Sequence, residues 1–381
     1  MKHAILKELR LINFGCFSEY SAEFASKNVL IGANGTGKTT IADAFCWLFT
    51  DKLMNGASAD VRPHDENGEP LNDNDIFVTA YVEVDGAGYI FEKQVHKGIK
   101  GNETMYAVNG IQKRSKDFKA AVTDIFGVTI EQFGYCISAS HFVKLPTADR
   151  KALLFSLIDI DDDEKLAGDD ERFISLVSRL QVATIDECLD GCRRTLKGKG
   201  KEKGLLGKQD ELALRLDEIC LAENYIIESG YLRDRKKDLT MQHGAVTAQL
   251  VETEKVQDLL KQFAKYKTDL VTEKVNALFE YAEFTFTEPT LAGDPKEICD
   301  MRYKGERYGK RLNTGARVLL DMDIVKTFQK AYGLELPLFI DNAESLSSGT
   351  ALMVKGEQPR QIIALFADEC PLMLKNERSL A

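Results

Sequence analysis

Gly32-Ala33-Asn34-Gly35-Thr36-Gly37-Lys38-Thr39 spells G-x-x-x-x-G-K-T, and the residues on either side give this loop the context it needs. Ahead of it, Asn28-Val29-Leu30-Ile31 is a short apolar, β-prone run ending at a glycine. Behind it, Thr40 to Phe49 places Ile41, Ala44, Phe45 and Leu48 on one helical face. Strand, glycine loop and helix form the unit that cradles a phosphate. Glycine lets backbone N–H groups turn inward, and the helix N-terminus adds partial positive charge. Lys38 is expected to reach the β- and γ-phosphates, and the Thr39 hydroxyl to join a Mg²⁺ shell. Gly32, Ala33, Asn34, Gly35, Thr36, Gly37 and Thr40 complete the expected cradle for a nucleoside triphosphate.

The bulk composition excludes other classes. With 381 residues the chain can build a sizeable core and more than one structural unit. A hydrophobic share of 44% and a charged share of 29% are ordinary for a soluble protein. The net charge of −10 argues against an overall basic coat but leaves room for a local basic groove. Met1-Lys2-His3-Ala4 leads directly into strand-like sequence, so no secretory signal is expected. No run approaches the roughly 18 apolar residues of a membrane span. The 8 cysteines are scattered without C-x-x-C pairs, as in reduced cytoplasmic proteins.

Three segments differ in pattern. Residues 1–170 are expected to form an N-terminal half-head. In it Ile5–Phe14, Tyr20–Phe24, Ile76–Val84 and Tyr89–Val95 read as strands, with Asp85-Gly86 as a hairpin turn. Asn109-Gly110 is a second hairpin signal, and Lys116 to Phe126 a helix stopped by Gly127. Residues 171–279 are expected to form a helical arm, proline-free from Asp186 to Phe279, with Leu212, Leu216, Ile219 and Ile226 and then Val256, Leu260, Phe263 and Leu270 at heptad-like spacing. An antiparallel coiled-coil hairpin and an ordinary pair of surface helices both fit. The tip is expected near Ser229-Gly230, or else at Gly198 to Gly207. Residues 280–381 return to strands and helices. Asn313-Thr314 caps a helix that runs to Tyr332, with Gly333 just beyond its end.

Leu336-Pro337-Leu338-Phe339-Ile340-Asp341 is an apolar run ending in a carboxylate, the pattern of a strand that brings an Asp to the Mg²⁺ side of a P-loop. Asp341 is thus the expected metal carboxylate beside Thr39. The Asn313-Thr314-Gly315 helix start offers free N–H groups and a dipole suited to a γ-phosphate.

Leu312-Asn313-Thr314-Gly315 stands where the ABC-type signature stands in SMC/SbcC/RecN/RecF ATPases, on a helix ahead of the Walker B strand. Leu11-Ile12-Asn13-Phe14 before a G-x-N-G-x-G-K-T loop is similar to that group as well. The segments 313–317, 339–345 and 141–150 resemble in particular short SMC-like ATPases of bacteriophages of Gram-positive hosts. The resemblance implies an α/β P-loop NTPase, an ABC-type head with a mixed sheet, carrying an inserted antiparallel coiled-coil hairpin. It implies ATP and Mg²⁺ as cofactors. It also implies a homodimer formed on ATP binding, in which each P-loop works with Asn313, Thr314 and Gly315 of the other copy. DNA would be a partner, with a nuclease or recombinase beside it, in recombination, repair or replication within the cytoplasm of a bacterial host.

Several residues depart from that pattern. Asn342 follows Asp341 where the group usually carries its catalytic Glu, and Glu344 lies two residues further on. Glu344 is the candidate to polarise the attacking water and Asn342 to position it. Between Tyr135 and Pro146 there is no Gln, with Ser138, Ser140 and His141 the only polar candidates for its place, and the late strand ends Phe366-Ala367 without a switch His. ATP hydrolysis is therefore expected to be slow or partner-dependent. Lysines in 93–100, in 197–203 and at Lys113, Arg114, Lys116 and Lys119 are candidate phosphate contacts for DNA. The rival readings are a nucleotide-gated scaffold without turnover, a membrane transporter subunit and a small-molecule kinase. The inserted arm argues against the last two.

Overall fold

The computed structural model describes residues 1–58, 61–64, 75–98, 101–222, 226–288, 296–309, 311–346 and 361–376. Two compact units emerge, one of residues 1–158 with 274–381 and one of residues 159–273.

In the first unit the chain begins with β1 (Lys2–Phe14), β2 (Phe17–Glu23) and β3 (Lys27–Gly32), followed by α1 (Lys38–Thr50). β4 (Ile76–Val84), β5 (Ala87–Gly98), β6 (Gly101–Val108) and β7 (Ile111–Lys113) come next. After them lie α2 (Ser115–Phe126), α3 (Ile130–Ile137), α4 (Ala139–Val143) and α5 (Thr147–Phe155). Strands β1, β4, β5, β6 and β7 pair antiparallel in that order, with β2 on the free side of β1. In β4 Ile76, Val78, Ala80, Val82 and Val84 are buried, the alternation expected of a sheet with one covered face. The two hairpin turns fall where Asn/Asp-Gly pairs stand. Asp85 (φ 50°) with Gly86 and Asn109 (φ 52°) with Gly110 take the left-handed conformation such turns require.

The second unit holds α6 (Asp163–Gly168), α7 (Val177–Leu180), α8 (Ile185–Ala222) and most of α9 (Ile226–Asn276). Leu189 and Cys192 of α8 share a core with Leu260 and Phe263 of α9, while Leu206 packs with Leu239 and Val246. Ascending one helix thus means descending the other, so the pair is antiparallel. The unit starts at Asp159 and ends at Glu273, against the 171–279 expected from composition. Leu166, Phe173 and Leu176 explain the early start, because they belong to the same core as Phe263. The tip expectation is corrected. Ser229-Gly230 lies inside α9 and Gly198–Gly207 inside α8, while the junction at 223–225 falls outside the described residues. Helical glycines there have open space around them and do not break the helix. Leu212 is 59% exposed, so it is not a seam residue.

The chain returns to the first unit through β8 (Glu283–Glu288), β9 (Lys296–Tyr303), β10 (Glu306–Arg307) and α10 (Thr314–Tyr332). Then come β11 (Leu334–Glu335), β12 (Leu338–Ile340), a single 3-10 turn at Ala343–Ser345, β13 (Ile362–Ala367) and β14 (Met373–Asn376). β11 joins β1 in parallel, giving the larger sheet its mixed character. Strands β12, β13 and β3 form a parallel sheet in that order, with β14 antiparallel on the far side of β3. α10 follows its capping signals closely. The Asn313 side chain accepts the Ala316 N–H at 2.8 Å, and Gly333 closes the helix at φ 65°.

Packing ties the elements that carry the site. Phe45 of α1 lies 5.6 Å, centroid to centroid, from Phe339 of β12, and Phe49 packs on Phe91, Phe126 and Phe133. Asp323 of α10 is buried and accepts three successive backbone N–H groups, from Glu280, Tyr281 and Ala282, at 3.0, 2.7 and 2.8 Å. That carboxylate fastens the residues between α9 and β8 to the middle of α10.

Candidate nucleotide site

The P-loop leaves the carboxyl end of β3, and Asp341 leaves the carboxyl end of β12, with only β13 between the two strands. Carboxyl ends of parallel strands are where open α/β sheets receive ligands. The geometry brings the two segments into contact: Thr39 Oγ1 donates to Asp341 Oδ2 at 3.2 Å, across 302 residues of sequence. A cavity of about 250 Å³ opens here, lined by Asn34, Gly35, Gly37, Lys38, Thr39 and Thr40 from the P-loop and Asp341, Asn342 and Glu344 from beyond β12.

The loop holds its shape by its own bonds. Thr36 Oγ1 donates to the Ala33 carbonyl at 2.8 Å, and the Ala33 N–H donates to the Cys370 carbonyl at 2.9 Å. The Lys38 ammonium donates to the Gly32 and Ala33 carbonyls at 2.7 and 2.8 Å. Gly37, at φ 95°, caps α1, and a Cβ there would lie 2.4 Å from the Phe17 ring and 2.6 Å from Cys16 Sγ. Only glycine fits that position. With no acidic residue in its first turn, α1 keeps its N-terminal partial charge free for an anion.

Beyond β12, Asn342 adopts φ 52° and its N–H donates to Asp341 Oδ1 at 3.0 Å, turning the chain so that Glu344 faces the cavity. Glu344 Oε2 accepts the Ala367 N–H at the end of β13, at 3.2 Å. Asn313, Thr314 and Gly315 are not among the residues lining this cavity. Thr314 instead borders a neighbouring cavity of about 360 Å³, which also touches Thr39, Asp43, Asn55, Ser138, Ser140, Tyr308, Arg317, Asp321, Asp341 and Asn342. Gly315 has a packing reason within its own chain, since a Cβ there would lie 2.5 Å from the Ser345 carbonyl oxygen.

Sequence reasoning passed over Asp43, although it stands one helical turn after Thr39. Its Oδ1 accepts the Met54 N–H at 2.7 Å. Burial pushes its carboxyl up to about 6, against the pull of the Met54 bond and with Asp341 adding repulsion. Asp321, hydrogen-bonded by the Tyr308 hydroxyl at 2.7 Å, is likewise raised to about 6 by burial. His141 is packed, with Nε2 3.1 Å from the Leu53 carbonyl, and burial lowers its pKa. Ser138 hydrogen-bonds the Met54 carbonyl. No cluster of three or more metal-ligating His, Cys, Asp or Glu side chains exists among the described residues.

In the 93–100 lysine cluster Lys93 is corrected, while Lys97 is exposed and Lys100 lies outside the described residues. Lys93 is 3% exposed, with its ammonium 3.5 Å from the Trp47 ring centroid and donating to Trp47 O and Asp51 Oδ1 at 2.9 and 2.5 Å. It is a structural cation and offers nothing to a nucleic acid. Arg114, Lys116 and Lys119 are exposed on or beside α2, and Lys197 and Lys201 on α8.

A family profile described as an AAA domain matches residues 8–271, more than half of the chain. The chain belongs to that AAA-domain family. The assignment is that of a P-loop ATPase-type domain and agrees with the strand, loop and helix around Lys38. No curated protein matches the chain. Among solved structures, the Smc head domain of Pyrococcus furiosus with an extended coiled coil, bound to the C-terminal domain of ScpA, is similar at 15% identity. That match covers 97% of this chain and 91% of that one, with a TM-score of 0.42. The recombination mediator protein RecF with ATP is similar at 13% identity, covering 98% and 96%, also with a TM-score of 0.42. Among the described residues, no helix is long and apolar enough to cross a membrane.

Proposed function

We propose that the protein is an SMC-like ATPase that binds Mg²⁺–ATP and acts on DNA in recombination, repair or replication through ATP-driven pairing of two heads. The observation that carries this reading is the Thr39–Asp341 contact at the edge of the parallel sheet. A hydroxyl and a carboxylate meeting beside a P-loop are the donor set that holds Mg²⁺ against β- and γ-phosphates. Bound there, Mg²⁺ supplies charge neutralisation at the phosphates. Loop N–H groups and the Lys38 ammonium bind the phosphate oxygens, and α1 directs its positive end at them. Glu344 takes the proton of an attacking water, and Asn342 orients that water. Asn313, Thr314 and Gly315 lie outside the lining of the P-loop cavity, consistent with their service to a second copy's nucleotide. DNA phosphates are met by exposed lysines and arginines such as Arg114, Lys116 and Lys119.

A second reading, a nucleotide-gated scaffold with little turnover, is favoured by one feature. Glu344 is the candidate base and its carboxylate is already engaged by the Ala367 N–H. Molecular mass in solution, measured with and without Mg²⁺–ATP, tests the proposal together with phosphate release. Glu344→Gln is expected to accumulate nucleotide-dependent dimers and to release phosphate at least about tenfold more slowly. Monomers at all nucleotide concentrations, in both wild type and Glu344→Gln, sink the head-pairing mechanism. Dimers without phosphate release establish the scaffold.

A further inference from the structure

Thr39 and Asp43 stand four residues apart on α1, a spacing that sets two side chains one above the other on the same helix face. Both border the cavity of about 360 Å³ that also touches Asp341 and Asn342. Asp43 Oδ1 is occupied by the Met54 N–H, and its other oxygen takes no hydrogen bond among the described residues. Asp341 uses one oxygen for the Thr39 hydroxyl and the other for the Asn342 N–H. Neither carboxylate forms an ion pair among the described residues. Arg317 borders the same cavity, but its Nη2 donates to the Gly309 and Leu312 carbonyls. Two carboxylates that repel each other across one half-buried cavity, neither of them paired with a cation among the described residues, are unfavourable. A divalent cation beside Thr39 and Asp341 would relieve both.

We propose that Asp43 is a positioning residue for the Mg²⁺ of the bound Mg²⁺–nucleotide. Its unbonded oxygen accepts a hydrogen bond from water carried by the cation, while Thr39 and Asp341 face the cation itself. Mg²⁺ suits this arrangement, because it keeps several waters and takes one or two carboxylates rather than a cage of side chains. Partners of that outer kind typically set metal affinity by about 10–100-fold. The Met54 bond then has a second consequence. It ties the chain after α1 to the same carboxylate, so the conformation of residues 51–57 and the cation's water shell share one anchor. This inference rests on the nucleotide reading of the P-loop.

The experiment is a Mg²⁺ titration of fluorescent ATP-analogue binding by the full chain, with each variant's own affinity in EDTA as its reference. Asp43→Asn keeps an oxygen for the Met54 N–H but loses the charge. It is expected to raise the Mg²⁺ concentration for half-maximal enhancement by about 10–100-fold. Asp43→Glu restores the charge and is expected to recover most of that loss. A midpoint equal to wild type in Asp43→Asn, or in Asp43→Ala should Asp43→Asn not fold, overturns the inference, as does a midpoint in Asp43→Glu no closer to wild type than that of Asp43→Asn. If wild type binds no nucleotide that Lys38→Ala removes, the P-loop reading itself fails and this inference falls with it. If wild type binds and the Asp43→Asn midpoint does not move, only the role of Asp43 is lost.

Discussion

Asp323 and the Asp43–Asp341 pair are acids of the same unit placed in opposite surroundings. Asp323 sits in the middle of α10 with three backbone N–H groups aimed at its two oxygens. Asp43 and Asp341 share a polar cavity, have one backbone bond apiece, and have no cation between them among the described residues. A carboxylate that the backbone has satisfied is a fastening. A carboxylate that the backbone leaves beside a like charge is open to a cation, as we propose for this pair. On our reading, that difference separates a structural acid from the pair proposed to attend a cation.

The largest effect should come from the fastening. Asp323→Ala leaves three N–H groups, one buried and two partly buried, without an acceptor and is expected to cost about 3–5 kcal/mol of unfolding free energy in urea titrations. A loss below about 1 kcal/mol would break the distinction, since Asp323 would then be no better held than a surface acid.

Lys93 extends the comparison to a buried cation. Burial brings its pKa down from 10.5 to about 8, against the pull of Asp51. The unfolded lysine keeps its proton up to about 10.5, so between pH 8 and 10.5 the unfolded state binds more protons than the folded one. Stability from this group therefore rises as pH climbs through that window, by up to roughly 3 kcal/mol. Lys93→Met is expected to flatten that rise in denaturation curves taken from pH 7.5 to 10.5. Parallel wild-type and variant profiles would mean that Lys93 is not desolvated as its 3% exposure indicates.

Smallest is the stability effect expected at the cavity. In EDTA, Asp341→Asn removes one of two like charges and should change the unfolding free energy by less than about 1 kcal/mol, in either direction. A loss as large as that at Asp323 would place Asp341 among the fastenings and undo its reading as a metal carboxylate.

What the sequence disclosed follows the range over which each feature is determined. The P-loop strand and helix, the Asp85-Gly86 and Asn109-Gly110 turns, and the Asn313 and Gly333 caps are all set within a few residues. Each signal lies in the chain itself, and each element appears within a residue or two of expectation. Features that depend on distant partners were not legible. The lysine at position 93 reads as a solvated charge until Trp47 and Asp51 close over it. The acid at 323 looks like any polar residue of an amphipathic helix until residues 280–282 bring their N–H groups to it. Asp43 carried a faint signal in its i+4 spacing from Thr39. Its significance depends on Asp341, which only the sheet order β12, β13, β3 brings near. In α8 and α9, glycines inside long helices imitated turn signals.

The central claim is that Thr39 and Asp341 complete a Mg²⁺–nucleotide site begun by the P-loop. Calorimetric titration of ATPγS into the full chain, with Mg²⁺ and then with EDTA, tests it most directly. The account predicts Mg²⁺-dependent binding in wild type, a loss of about 100-fold or more in Lys38→Ala, and binding in Asp341→Asn that no longer responds to Mg²⁺. Equal affinities in wild type and Lys38→Ala, or an undiminished Mg²⁺ response in Asp341→Asn, would contradict it.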